Sequence, residues 1–304
     1  MEEVKNYNAV VEIAGKHLGK VGGEGYSDQY NAELLVAVPR YLNREAYGIE
    51  ESNLPFVGVD AWNAYEVSAI TKKGQPVAGM LKIVCPANTE FHVESKSIKL
   101  YLNSLNMTPM GQTAKECIKE IETTVAKDLT DLLGGNVTCT FFGNTYTPEF
   151  EFDGFTDLGA TVNLDNIEFT AFKSDAGQLE IGGNLPMSVT TKVSSNLLRS
   201  NCRVTNQPDW GDIYIHMQGH NSIKLESLAK YIVSHRTVSH FHEEICEMVF
   251  THLQQAYQPE KLMVACLYTR RGGLDINPIR ATHKDMIPGW FTDSGKRMRK
   301  TLRQ

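Results

Sequence analysis

Cys202 and Asp209 stand seven residues apart in NCRVTNQPDWG (201–211), a stretch of polar and turn-forming residues. A free cysteine has a pKa of about 8.5, so only a few per cent is thiolate at neutral pH, and a useful nucleophile needs a base or a local positive field. An ionised Asp209 alone would raise the thiol pKa by like-charge repulsion. A protonated or proton-sharing Asp209 would instead be an acid able to deliver protons to a nitrogen. By itself the pair also reads as an inert small residue beside a solvated carboxylate.

Three further stretches carry groups with chemical use. FHEEICE (241–247) places His242, Glu243 and Glu244 at a helix start. The H-E-x-x-H zinc signature fails there because Cys246 occupies its last position; His240 and His242, with Glu243 and Cys246 near, could still suggest a metal, but no second Cys/His pair stands at ligand spacing elsewhere, so none is expected. The carboxylates read either as acceptors for a ligand's N–H groups or as a first turn favoured by the helix dipole. ESKSIKLYL (94–102) carries Glu94, Lys96 and Lys99, with Ile98, Leu100 and Leu102 alternating, which reads as lysines meeting phosphate or as a solvated strand edge. TRRGGLDINP (269–278) sets Arg270 and Arg271 before two glycines, a turn that could grip a phosphate. GKVGGEG (19–25) lacks the spacing and context of a dinucleotide-binding turn, which disfavours a Rossmann domain.

These groups need a scaffold, and the bulk composition supplies one. The 304 residues are 41% hydrophobic and 22% charged, enough for a sizeable core in one large domain or two ordinary ones. A net charge of -6 argues against broad binding to nucleic acid or an anionic membrane. No apolar run is long enough to span a bilayer, and the start, MEEVKNYNAVVEIAGKHLG, has no leader-like apolar core, so a cytoplasmic protein is expected. None of the six cysteines forms a C-x-x-C pair, so free thiols are expected. Five lie in apolar runs and read as buried; Cys202 does not.

PVAGMLKIVCP reads as a strand with proline at both ends. TAKECIKEIETTVAKDLTDLLGG has apolar residues at helical spacing and a Gly134-Gly135 stop. GDIYIHMQG alternates as a half-buried strand, LESLAKYIVSHR and HFHEEICEMVFTHLQQAY read as helices, KLMVACLYTRR as a strand, and RGGLDINPIRAT as a turn. Displacing the chain by 130 residues lays SIKLYLNS (97–104) on SLAKYIVS (227–234), each followed by an amphipathic helix and a strand. That repeat points to two similar α+β halves.

Together these motifs resemble the nitrile reductases of queuosine biosynthesis, the 7-cyano-7-deazaguanine reductases, in their two-module form. The resemblance rests on ESKSIKLYLNS (94–104), LPFVGVDAWNAYEVS (54–68), NCRVTNQPDWG, FHEE and YTRRGGLDINP, and spans most of the chain from about residue 30. It implies an α+β fold of two tandem tunnelling-fold modules, residues 1–180 and 181–304, with antiparallel sheets and helices on one face. It implies NADPH as cofactor, a small deazapurine substrate, no nucleic-acid or membrane partner, and a homodimer. Carried over, Cys202 is the nucleophile and Asp209 the proton donor. Val93, Glu94, Ser95, His242 and Glu243 take the substrate positions, and Ser95, Lys96, Arg271 and Gly272 the cofactor positions. Other enzymes of the same superfamily, and a non-catalytic purine-binding module, are the competing readings. The missing zinc ligands disfavour a cyclohydrolase, and the intact Cys202/Asp209 pair disfavours a mere binder.

Overall fold

Proline and glycine mark the element ends. A computed structural model describes residues 27, 29–143, 151–203, 208–299, 301 and 304; the N-terminal leader question and part of the loop after Cys202 lie outside them. The first half builds β1 (Ala37–Pro39), α1 (Tyr41–Arg44), β2 (Val57–Ile70), β3 (Pro76–Pro86), β4 (Phe91–Val93), α2 (Ser95–Ser104), α3 (Ala114–Leu133) and β5 (Thr138–Phe142). The second builds β6 (Thr156–Asp157), α4 (Leu158–Thr161), β7 (Ile181–Ser195), β8 (Arg199–Asn201), β9 (Pro208–Ile223), α5 (Leu225–Ser234), α6 (His242–Tyr257), β10 (Lys261–Tyr268), β11 (Leu274–Ala281) and α7 (Gly289–Thr292).

The main sheet runs β5-β3-β2-β11-β10-β9-β7-β6, with β8 paired to β9 and every pairing antiparallel except β6 with β7. Its centre is the β2–β11 ladder, from Leu274 opposite Ala64 to Ala281 opposite Val57, which fuses the two halves into one sheet. Side chains alternate across it. Trp62, Ile83, Leu274 and Ile276 face α2 and α3; Ile213, Ile215, Leu262 and Val264 face α5 and α6. On α3 a stripe of Cys117, Ile121, Val125, Leu129 and Leu133 is fully buried, each large aliphatic contributing about 1.5–3 kcal/mol. A Thr113–Glu116 capping box starts that helix and Gly134, at φ 71°, ends it.

The opposite face is covered too. Ala61, Met263, Ala265 and Ile279 pack against Phe291, Met298 and the half-buried Phe152, Phe155 and Trp290. The Lys82 ammonium, buried under this cover, donates to the carbonyls of Trp290 (2.9 Å), Asp293 (3.0 Å) and Lys296 (2.6 Å). Burial pushes its pKa down to about 8. The one-face arrangement of helices therefore holds for the long ones, while the chain around residue 152 and α7 form a second layer.

The sequence repeat is also a repeat of local structure: α2 and α5 have bounds displaced by the same 130 residues. Ser97 Oγ donates to the Glu94 carbonyl (2.7 Å), and Ser227 Oγ to that of Lys224 (2.7 Å). Tyr101 donates to Asp128 on α3 (2.6 Å), and Tyr231 meets His252 Nδ1 on α6 (2.8 Å).

Two local expectations are corrected. ESKSIKLYL is a helix, not a strand edge: its buried residues Ile98, Tyr101 and Leu102 fall at helical spacing, and the Glu94 side chain caps the start. RGGLDINPIRAT is a turn only at its beginning, since Leu274–Ala281 is a central strand. Pro278 is tolerated there because β10 pairs with Ile279–Ala281 and no further, and the Pro278 carbonyl faces the Cys246 thiol (3.6 Å). Cys85, Cys117, Cys246 and Cys266 are buried as expected; Cys139 is only half-buried.

A buried ion cluster ties the halves where the sheet fuses. Arg40 donates to Asp60 (2.6 Å), Arg44 and Arg280 donate to Glu247 (3.1 and 2.8 Å), and Arg280 also lies 2.9 Å from Asp60 as an ion pair. Burial alone would raise the Asp60 pKa, but Arg280 and Arg40 hold it at about 2. Removing one member strands the rest in a dry interior. Glu247→Ala should therefore cost about 3–5 kcal/mol in urea denaturation. A loss below about 1 kcal/mol, the range of exposed pairs, would show that the cluster does not hold the halves together.

Candidate active site

Cys202 directly follows β8, where Ser200 lies opposite Asp209 and Asn201 opposite Pro208. The hairpin thus keeps the thiol near the carboxylate. Asn201 N donates to Val238 O (2.7 Å), and His240 N donates to Asn201 O (3.1 Å), which docks this strand end on the approach to α6. Arg203, the next residue, is held by Asn43 and by Glu244 (3.4 Å). Cys202 itself is half-buried.

Asp209 is pinned between two side chains. Arg271 Nε lies 3.2 Å from Oδ1, and His242 Nε2 lies 3.4 Å from Oδ2. The His242 ring stacks on Tyr268 with centroids 3.8 Å apart and planes 6° from parallel. Next to it, Glu243 is buried, and its Oε1 has no hydrogen-bond partner. Burial, then the nearby Asp60 charge, pushes the Glu243 carboxyl up to about 8. An uncompensated buried carboxyl is costly in a folded chain, and a ligand offering N–H donors would repay that cost.

The first half contributes the opposite wall. β4 leads into Glu94, whose carboxylate accepts from Lys96 N (2.9 Å) and Ser97 N (2.7 Å), fixing the start of α2. Burial raises the Glu94 pKa and these amides pull it back. A carboxylate has about four lone-pair sites, so capping leaves capacity for a ligand.

All ten residues that the resemblance assigned to the site line one cavity of about 520 Å3: Val93, Glu94, Ser95, Lys96, Cys202, Asp209, His242, Glu243, Arg271 and Gly272. Trp62, His92, Lys99 and Phe241 join them. Trp62 and Phe241 sit inside stretches already quoted, and Lys99 was noted as a cation; His92 had no signal in the sequence. Arg270 turns away and stacks on the Tyr65 ring, 4.9 Å from its centroid. Asp275 also borders the cavity, but its carboxylate is committed to Asn63, Tyr65 and Asn277, each at 2.6 Å. The residues once weighed as metal ligands separate: His240 meets Glu244 (2.6 Å), while Cys246 is buried against the Val264 carbonyl.

A second cavity of about 180 Å3 adjoins the first, sharing Lys96, Lys99, Gly272 and Leu274. Gly272 and Gly273 have φ of 54° and 79°, and a β-carbon on Gly272 would come within 3.0 Å of the Lys99 side chain. Backbone that only glycine adopts, with Lys96, Lys99 and Arg271 around it, fits the phosphates of a dinucleotide.

The cavity sets a thiol, an acid and several cations around one space, with a second cavity alongside. Comparison with known proteins places the chain in a family. Residues 26–141 match the family model described as nitrile reductase, 7-cyano-7-deazaguanine-reductase N-term, and residues 208–286 match that of the QueF-like proteins. The NADPH-dependent 7-cyano-7-deazaguanine reductase of Colwellia psychrerythraea is 38% identical over 288 residues, covering 93% of this chain and 97% of the relative. That of Rickettsia massiliae is 38% identical over 259 residues, covering 85% and 90%. A solved structure of the archaeosine synthase QueF-Like in the apo form aligns with 32% of this chain and 93% of its own, at 18% identity and a TM-score of 0.28, too low to inform the fold. The chain belongs to the family of NADPH-dependent 7-cyano-7-deazaguanine reductases, which are oxidoreductases.

The raised Glu243 pKa has a consequence for stability. The folded state holds that proton to higher pH than the unfolded chain, so its contribution is full below the ordinary glutamate value and is lost as pH rises toward about 8. Between pH 4.5 and 8.5, the stability of the wild type relative to Glu243→Gln should therefore fall with rising pH. Parallel stability curves would show that Glu243 is not held protonated.

Proposed function

We propose that this protein reduces the nitrile of 7-cyano-7-deazaguanine to the aminomethyl group through a thioimide on Cys202. The observation that carries the proposal is the convergence of Cys202, Asp209 and the Glu243 carboxyl, whose Oε1 has no partner, in one cavity of a chain of this family.

A nitrile is a poor hydride acceptor until a nucleophile adds to its carbon. Asp209 takes the thiol proton, and the sulfur electron pair forms a bond to the nitrile carbon. The π pair moves to nitrogen, which takes the proton back from Asp209. Arg271 and His242 hold the Asp209 carboxylate in place for both transfers. Glu243, once ionised, accepts the adjacent N–H groups of the guanine-like edge as a pair. Glu94 and the backbone of Val93 and Ser95 bound the ligand on the other side. Trp62, Phe241 and the His242–Tyr268 stack form walls that exclude water from a hydrolysable imine.

NADPH, when bound, would supply the hydrides, two in all. Between them the C–S bond breaks, Cys202 leaves as thiolate and is reprotonated, and the imine that remains takes the second hydride and a proton passed through Asp209. Ser95, Lys96, Arg271 and Gly272 would hold it along the adjoining cavity. We also assign two tandem tunnelling-fold modules dividing near residue 180. Apart from the three-residue strands β4 and β8, the order β-β-α-α-β is shared by β2, β3, α2, α3 and β5 and by β7, β9, α5, α6 and β10, which supports this. A homodimer and a cytoplasmic location belong to the same proposal, and the six free thiols are in keeping with a reducing compartment.

Mixing with the nitrile in the absence of NADPH should add the ligand's mass to the wild type and nothing to Cys202→Ala. An adduct that persists in the variant would move the chemistry to another thiol. Asp209→Asn should slow nitrile-dependent oxidation of NADPH by about 10²–10⁴-fold, followed by loss of nicotinamide absorbance. A change smaller than tenfold would remove Asp209 from the proton path.

A further inference from the structure

β4 presents its two faces to different surroundings. Phe91 and Val93 pack into the core with α2 and α3, while His92 between them points the other way and meets the Phe241 ring edge-on, centroids 4.9 Å apart. The strand is pinned to β1, with Arg40 N donating to Glu90 O (3.0 Å) and Glu94 N to Val36 O (2.9 Å). The ring therefore has a fixed seat, 4% exposed, in the wall of the larger cavity.

Its Nε2 is buried and has no hydrogen-bond partner among the described residues. Arg40, whose charge bears on the ring, is committed to Thr89 (3.2 Å) and Asp60 (2.6 Å). Burial, then Arg40, pushes the His92 pKa down to about 3, so the ring is neutral at pH 7, with one nitrogen to donate and one to accept. An apolar side chain would pack on Phe241 and leave nothing unsatisfied. The nitrogen destabilises the ligand-free fold, and a hydrogen-bonding ligand would offset that.

Among the described residues, three side chains of the cavity wall carry such an atom: His92 Nε2, His242 Nδ1 and Glu243 Oε1. His242 and Glu243 already stand at proposed substrate positions. The other acidic groups of the wall are engaged: Asp209 by Arg271 and His242, Glu94 by two amides, and Asp275 by three side chains. His92 is the member of the set still without a role.

We propose that His92 is a further substrate-binding residue, its ring hydrogen-bonding a heteroatom of the deazapurine beyond the N–H pair taken by Glu243. The inference rests on the reading of this cavity as the 7-cyano-7-deazaguanine site and adds a specificity contact to it. No bond to His92 forms or breaks in the reaction. The ring orients the heterocycle and favours a polar ring over an apolar one of the same shape.

The test measures binding alone, by calorimetric titration of 7-cyano-7-deazaguanine into Cys202→Ala without NADPH, where no covalent adduct forms. Leaving a buried ligand atom unpaired weakens binding about 5–100-fold. Adding His92→Phe to that background should therefore raise Kd by that factor. The ligand-free protein should at the same time be as stable in urea as its parent, or more so, because an orphaned nitrogen has been removed. A rise in Kd below fivefold overturns the inference, as expected if water satisfies the nitrogen. A rise accompanied by lower ligand-free stability also overturns it, because His92 then acts through packing. Should His92→Phe lose its near-ultraviolet circular dichroism, His92→Leu replaces it and is read the same way. If Cys202→Ala itself binds no ligand, the substrate reading fails; equal binding with and without His92 overturns the role of His92 alone.

Discussion

The antiparallel ladder between β2 and β11 is the constraint on which the site depends. Val93 to Lys99 come from the first half of the chain; Cys202, Asp209, Glu243 and Arg271 come from the second. They share a cavity because Ile276 pairs with Trp62 in the sheet centre and carries the glycine turn up against α2. Beneath, Arg40, Arg44 and Arg280 share Asp60 and Glu247, so the halves cannot slide without uncovering buried charge. Glu247 lies one turn beyond Glu243 on α6, so the cluster that joins the halves also fixes the height of the cavity wall that Glu243 lines.

The cavity is an arrangement of opposed charges rather than a uniformly polar hole. Asp209 has Arg271 and His242 as partners, Glu94 has backbone amides, and the Glu243 Oε1 has no partner. The first two are set before any ligand arrives, which limits reorganisation during proton transfer. On the proposed reading the third is satisfied by the ligand, which turns a folding cost into binding specificity. Such a division is common where function overrides local stability.

The parts of the fold legible in the sequence were those whose ends are chemically marked. β3 lies between Pro76 and Pro86, and α3 between the Thr113 cap and Gly134. α2 misled because Ile98, Leu100 and Leu102 also satisfy a period of two, whereas Tyr101, buried against α3, reveals the helical face. β11 misled because turn formers crowd its start and Pro278 sits within it. Its proline is harmless only because β10 parts from it there, a tertiary fact no local pattern carries. The site motifs were each visible, but their meeting depends on pairing between residues more than 200 positions apart. Nothing in the sequence marked Phe152 and Trp290 as the cover of the far sheet face, nor His92 as part of the cavity.

The most direct measurement is a crystal structure of the wild-type protein with 7-cyano-7-deazaguanine bound and no NADPH. The account predicts continuous density between Cys202 Sγ and the former nitrile carbon, with both Glu243 oxygens on adjacent N–H groups of the purine edge. A ligand seated in the same cavity with the sulfur turned away from an intact nitrile, and Glu243 still unpaired, would contradict it.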